Sequence, residues 1–514
     1  MKKHRLAAID IGTNSIRCIV VEARESGGFR VLDDEKATVR LGEGLSVSGK
    51  ISPPAWERAR DALLRMRKIT EGLGCRDFVA VATSAVRKAS NGPEFVAAML
   101  GETNIPIRVI DGEEEAELAA LSARHHFDMA NTRYGLVDIG GGSIEVVIAT
   151  GHHIEEIVSL ELGAVFLTEA FLSRDPIPEK DFLKLGKHLR RTINTGFEEV
   201  DTPLRCLIGS GGTITSIAGM IMAQRQEPYE AVHGYEVLRS EIVHLLAMLQ
   251  RKSCKERRAV AGLSPERADI IVAGVAAVDA LMRFFGTNLL RINERGIREG
   301  LIIRSLHERG LWQEPAGQRD WFSTVREFAR SCHSDEEHGE QVRKLALAIF
   351  SAMPPEPLFD QRARQMLEAG ALLHDVGYFI SYDRHHKHSY HLIRHAELFD
   401  FSPREREIVA NLARYHRKAL PKARHENYAR LAPADRELVG KLGGILRLAD
   451  GLDRRRSRAV EAMTCSAATD CFTIDLHGSG DLSVEAYGGQ AKGDLFAAAF
   501  GCELLIRTSP LQSS

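Results

Sequence analysis

The sequence predicts a duplicated α/β fold, then a mostly α-helical domain and a small α/β segment at the C-terminal end, and three observations carry that expectation. "DIGTNSIRCIVV" (Asp10 to Val21) is echoed by "DIGGGSIEVVIA" (Asp138 to Ala149), each flanked by strand-like apolar runs. "LRCLIGSGGTITSIAGM" carries a short apolar strand through glycines into a helical pattern. After about Leu311 the chain becomes rich in Arg, Glu and Ala, with apolar residues at three- and four-residue spacing.

At 514 residues the chain exceeds a single core, which sets an expectation of three or four domains. We divide it into lobes at 1–130 and 131–311, a helical domain at 318–458 and a small α/β region at 459–514, with Pro315, Ala316 and Gly317 as linker. A composition of 44% hydrophobic and 27% charged residues argues against extensive disorder or a fibre. The formal net charge of −2 gives no global basicity, so no nucleic acid partner is expected and any polyanion must meet a local patch. The 8 cysteines form no CxxC pair, which speaks against a zinc ribbon or disulfide framework and for a reducing cytoplasm. "MKKHRLAAIDIG" is interrupted by Asp10 too soon for a signal-peptide core, and no run approaches the roughly 18 apolar residues of a membrane span.

Each member of the repeat reads as a β-hairpin: "RLAAI" or "RYGLV", a Gly-rich connection, then "IRCIVVEA" or "IEVVIAT". Glycines at a hairpin tip let the backbone approach a ligand and offer N–H groups to an anion. Gly12 with Thr13, Asn14 and Ser15 forms one such tip; Gly140, Gly141 and Gly142 with Ser143 form the other. In a phosphate-lined cleft, Asp10 and Asp138 are suited to holding a divalent cation or orienting water. A single DxGxxS would suggest a tight turn and nothing more, whereas two copies with matched flanks point to function. Gly211, Gly212 and Thr213, opening a helix after a strand, make a third anion cradle, because a helix N-terminus favours negative charge.

Taken together, the paired DxG hairpins resemble the phosphate motifs of the actin, hexokinase and Hsp70 (ribonuclease H-like) superfold. Within it, "AAIDIGTNSIR", "VATSAVRKASNG", "IDGEEEAEL", "DIGGGSIEVVI" and "GSGGT" in that order resemble the exopolyphosphatase and guanosine pentaphosphate phosphohydrolase (Ppx/GppA) family over roughly the first 305 residues. The chain is similar to the family's long form, which carries a C-terminal HD-like domain.

The resemblance assigns expected roles. Phosphoanhydride hydrolysis needs positioning, charge neutralisation and an oriented water, and no general acid. "RVIDGEEEAELAALSA" reads as a strand, a turn at Asp111 and Gly112, and a helix whose first turn is acidic. Acidic residues there are ordinarily dipole partners. The resemblance implies instead that Glu115, just before the alanine, activates the attacking water. It likewise implies that Asp138 and Glu145 face that water and a Mg²⁺ ion, and that Arg87 clamps a phosphate, a task suited to its planar fork of donors. A monovalent cation such as K⁺ is a further candidate. ATP-dependent kinase chemistry is the rival for this superfold, but no acceptor-binding feature is evident.

In the second half, "EHGEQVRKLALAIF" and "ARQMLEAGALLHDVGYFI" read as helices of a bundle. His338, His374, Asp375 and Asp450 reproduce the H…HD…D order of HD-type metal phosphohydrolases, with His374 and Asp375 expected to project from one helix. Imidazole and carboxylate donors suit a first-row divalent metal. The alternative is a scaffold whose histidines serve packing or substrate binding; His388 and His416 could complete a metal set or equally be surface residues. "YDRHHKHSYHLIRHAE", "RYHRKALPKARHE" and "GLDRRRSR" are locally basic, as expected of either a track for an extended anion or solvated helix faces. "CFTIDLHGSG" and "LSVEAYGG" alternate like strands, and "GDLFAAAFGCELLI" reads as a helix or buried segment.

The expected activity is release of terminal phosphate from inorganic polyphosphate. Hydrolysis of guanosine pentaphosphate (pppGpp) by the same residues is the alternative, and a non-catalytic polyphosphate or alarmone sensor is a third. The resemblance also implies a homodimer.

Overall fold

The computed structural model describes residues 4–24, 28–129, 132–197, 204–227, 229–312, 320–468 and 470–510. The expected linker at 315–317 lies outside them. The chain divides into two compact units, Met1–Gln318 and Arg319–Ser514.

The first unit is built on two sheets. One contains β1 (Arg5–Ile11), β2 (Ser15–Ala23), β3 (Phe29–Thr38), β4 (Asp77–Ala82) and β5 (Ile107–Val109), ordered β3-β2-β1-β4-β5. The other contains β6 (Arg133–Ile139), β7 (Ile144–Thr150), β8 (His153–Leu160), β9 (Leu207–Ser210), β10 (Glu236–Leu238) and β11 (Leu289–Ile292), ordered β10-β11-β9-β6-β7-β8. In both, the first strand pairs antiparallel with the second and parallel with the fourth: β1 lies between β2 and β4, and β6 between β7 and β9. This actin-like duplication was legible in the repeat.

The two hairpins share their register. Asp10 faces Arg17 and Ile11 faces Ile16, while Asp138 faces Glu145 and Ile139 faces Ile144. Each tip is closed by the same bond, Gly12 N–H to Ser15 O and Gly140 N–H to Ser143 O, both 3.1 Å.

These strands are apolar on both faces because both are covered. Alternate residues of β1 enter different cores: Ala7, Ile9 and Ile11 pack with Leu63 and Phe95, and Leu6 and Ala8 with Val81, Leu118 and Leu301. The helix Ile297–Glu308 therefore covers the first sheet although it follows the second in sequence. Its Gly300 permits close approach to the helix Gly112–His126, since a Cβ there would lie 2.1 Å from Leu118 O.

The second unit contains the helices Trp321–Ser331, Glu336–Ala352, Gln361–Leu373, His385–Arg394, Pro403–Tyr415 and Pro433–Gly451, and a sheet ordered β12 (Ala462–Ala467), β13 (Cys471–Gly478), β14 (Glu503–Pro510). Asp335, Asp360 and Ser402 cap three of the helices by accepting backbone N–H bonds. Two expectations need correction. "LSVEAYGG" lies mostly in the helix Ser483–Lys492, whose buried face consists of Glu485, Gly488 and Gly489 while Val484 and Tyr487 are exposed. Its apolar alternation thus belongs to no sheet face. His374 and Asp375 do not project from within a helix: His374 is the C-cap of Gln361–Leu373, and Asp375 opens the following 3-10 turn.

Candidate functional site

The glycine-rich tips of the first unit converge on one cleft. Gly12, Thr13, Asn14 and Ser15 contribute from the first hairpin, and Gly140, Gly141, Gly142 and Ser143 from the second. Gly211 and Gly212 add the start of the helix Gly212–Arg225. One of these positions requires glycine: at Gly211, φ is 95° and a Cβ would sit 2.5 Å from Ile139 O. Gly142 marks where the second tip meets the first lobe, since a Cβ there would sit 2.5 Å from Ser84 Oγ.

Glu115 also lines the cleft, in the first turn of the helix Gly112–His126, which Asp111 caps by accepting from Glu114 N–H. Arg87 Nη1 donates to Ile110 O at 2.6 Å and lies 3.4 Å from Glu115 Oε2. Asp10 and Asp138, at the ends of β1 and β6, complete the acidic side. Glu145 lies behind them on β7, 2% exposed, receiving a 3.0 Å bond from Ser159 Oγ. Thr213 is fully buried beneath the third cradle, where its Oγ1 accepts from Arg267 Nη2 at 3.2 Å.

Burial dominates the electrostatics. Together with the Glu145, Asp138 and Asp10 carboxylates, it pushes Glu115 well above the usual carboxylate range, and Arg87 opposes. Burial likewise pushes Asp10 up to about 6, against Arg17 and Arg298, and Glu145 up to about 7, against a hydrogen bond from Ser143. Asp138 is raised by the same cause, against Ser210 and Arg17. Asp10 Oδ1 and Glu145 Oε2 are buried with no hydrogen-bond partner. Hard oxygen donors crowded in a dry site fit a small divalent cation such as Mg²⁺, which would relieve their mutual repulsion.

The same cleft holds cations that sequence reasoning did not single out. Arg17, Arg267 and Arg298 all line the cleft. Arg267 is pushed down to about 10, by burial and then by the nearby Arg17 charge. Two guanidinium groups repelling each other inside a cleft are arranged for an anion. Arg17 sits in the quoted repeat, facing Asp10, and cross-strand pairing of the predicted hairpin could have revealed it. Arg298 lies in the "NERGIREGL" stretch; Arg267 carries no local signal.

In the second unit, His338, His374 and Asp450 form one group able to hold a metal ion, and Asp375, His385 and His416 form another. His416, 2% exposed, is in the second group and not on the surface. His388 belongs to neither group, and His385, one helical turn earlier, takes part instead.

Two actin-like halves closing buried carboxylates, arginines and backbone amides around one cleft define a phosphate-processing protein of the actin and Hsp70 class. The chain belongs to the Ppx/GppA phosphatase family: that family's model matches residues 19–309, and the model of its domain III matches 322–482. Among solved structures, the chain is similar to the Ppx/GppA family member of Aquifex aeolicus, at 26% identity over 60% of this chain and 99% of that one, with a TM-score of 0.52. It is also similar to an exopolyphosphatase from Cytophaga hutchinsonii, at 28% identity over 60% of this chain and 100% of that one, with a TM-score of 0.55.

Proposed function

We propose that this phosphatase is an exopolyphosphatase that releases terminal phosphate from inorganic polyphosphate. The observation that carries this reading is Glu115, buried in a cleft that is also lined by Asp10, Asp138, the glycine tips and arginines. The glycine tips and Arg17, Arg267 and Arg298 hold the end of the polyanion. Glu115 orients a water and accepts its proton as the water oxygen attacks the terminal phosphorus. The bridging P–O bond breaks, and its electron pair leaves with the shortened chain. Arg87 keeps the Glu115 carboxylate in place and neutralises charge on the departing phosphate. Asp138 and Asp10, with Glu145 behind them, would hold Mg²⁺, which when bound offsets phosphate charge.

Hydrolysis of pppGpp would use the same residues, and phosphate release separates the two readings. With Mg²⁺, wild type is expected to release phosphate from long-chain polyphosphate faster than from pppGpp or ATP, and Glu115→Gln to lose roughly 10²–10⁴-fold of that rate. Preference for pppGpp would replace polyphosphate as substrate. Saturable binding without release would make the protein a sensor, and full activity in Glu115→Gln would remove Glu115 from the chemistry. The reading carries with it a cytoplasmic, homodimeric enzyme; among the described residues no helix is long and apolar enough to cross a membrane.

A further inference from the structure

The second unit holds a polar centre of its own, and its histidines fix what that centre can take. Each of four buried rings is tethered through Nδ1. His374 Nδ1 lies 2.7 Å from Ala371 O, His416 Nδ1 2.7 Å from Ala413 O, and His385 Nδ1 3.1 Å from Tyr382 O. His338 Nδ1 lies 2.7 Å from Asp453 Oδ2. A carbonyl or carboxylate oxygen only accepts, so each Nδ1 carries a proton and Nε2 is the nitrogen each ring can offer to a metal ion.

Those Nε2 atoms converge. His385 Nε2 and His416 Nε2 face each other at 3.4 Å. His338 Nε2 and His374 Nε2 are buried without any hydrogen-bond partner, in residues 3% and 1% exposed. Buried ring nitrogens left without a partner are costly, and a metal ion held by the two would remove that cost. Tethering Nδ1 to a carbonyl or carboxylate is also how proteins orient imidazole toward a metal.

Two carboxylates complete the centre. Asp450 Oδ1 lies 3.5 Å from His338 Nε2 and 3.9 Å from His374 Nε2. Asp375 presents its two oxygens to different histidines: Oδ2 lies 3.6 Å from His374 Nε2, while Oδ1 lies 3.2 Å from His385 Nε2 and 3.6 Å from His416 Nε2. Donors bound to one ion at about 2.1 Å each are at most roughly 4.2 Å apart, and all of these separations fall within that limit.

We propose that this centre binds two divalent first-row transition-metal ions bridged by Asp375, one on His338, His374 and Asp450 and the other on His385 and His416, and that it hydrolyses phosphate monoesters or diesters. Four imidazoles select such ions over Mg²⁺, which prefers oxygen. Paired ions clamp the attacking and leaving oxygens of a phosphoryl group. Cations at the centre match an anionic substrate: Arg456 bonds to Asp375, Lys492 bonds to Asp450, and Arg417 Nη1 lies 3.2 Å from His385 Nε2. In the reaction, a water oxygen attacks phosphorus and the ester P–O bond breaks. The bond's electron pair goes to the leaving alkoxide, which takes the proton released by the water, giving an alcohol and a phosphate. This activity is independent of the cleft in the first unit.

The test uses full-length protein, stripped with chelator, reloaded with Mn²⁺ and desalted, with metal counted by mass spectrometry. Asp375→Ala is expected to bind two equivalents fewer than wild type and His385→Ala one fewer, while His388→Ala, on the same helix as His385, loses none. Mn²⁺-dependent hydrolysis of p-nitrophenyl phosphate or its bis ester is expected to fall at least 100-fold in Asp375→Ala and to persist in His388→Ala. Anomalous scattering from wild-type crystals soaked in Mn²⁺, a reading that depends on no variant, should show two peaks beside Asp375. No peak, or equal metal content in wild type and a folded Asp375→Ala, overturns the site. One peak overturns the pairing, and two peaks without ester turnover overturn the assigned chemistry.

Discussion

Arg267 shows how a phosphate site is completed by residues far away in the sequence. It is 8% exposed, its Nε has no hydrogen-bond partner, and its Nη2 reaches the third cradle through Thr213. A charge-assisted contact of this kind is worth about 1.5–3 kcal/mol. Arg267→Ala is accordingly expected to raise KM for polyphosphate roughly 10- to 100-fold, with a smaller change in kcat, as steady-state phosphate release would show. Nothing near Arg267 in the sequence announces this, because an isolated arginine usually belongs to the surface. The histidines give the same lesson. "RHHKHSYHLIRH" offers five imidazoles, and the phase of the helix starting at His385 decides which of them meets Asp375. Glu115 was legible only through its motif, since an acidic first helical turn is otherwise ordinary.

At the scale of elements, helix starts carry much of the order in the second unit. Ser402 and Glu405 form a capping box, and Glu405 also receives two bonds from Arg362, at 2.7 and 2.8 Å. Burial alone would raise the Glu405 pKa, but Arg362 and the Ser402 cap more than offset it and hold it below 4.5. The bound form is the ionised one, so the stabilisation is present above about pH 4.5 and is lost as pH falls through the lower folded value. Glu405→Gln is expected to cost roughly 1–3 kcal/mol at pH 7, and the gap to wild type in thermal melts should close below pH 4.5. Elements with an apolar face at regular spacing were readable from sequence, among them the helices around His338 and the paired hairpins. The helix Ser483–Lys492 was not, because it buries two glycines and the Glu485 carboxylate, which Arg455 neutralises.

At the scale of the molecule, the duplication was readable because each half repeats a hairpin and its flanks. The return of Ile297–Glu308 to the first sheet was not, since a helix's apolar stripe does not say which sheet it covers. The core of the second unit likewise joins segments that composition separates. Phe472, Ile474, Leu476, Phe496 and Leu504, all beyond residue 458, share one cluster with Val342, Leu373, Leu412 and Leu446 of the helices. Phe496 is fully buried, its ring 5.0 Å from that of Phe472 and 4.7 Å from that of Phe500. Phe496→Ala is expected to cost about 3–5 kcal/mol. Calorimetry and circular dichroism should show the helices and the terminal sheet melting earlier together; helices melting at the wild-type temperature would divide that core.

The paired hairpins carry one more consequence. They agree in register and closure, yet Asp10 faces Arg17 where Asp138 faces Glu145. Two identical chains meeting about a two-fold axis must present the same residue at both places. Joining the copies in one polypeptide releases them from that identity, so that heredity can change one and keep the other. The cleft thereby gains a head and a tail.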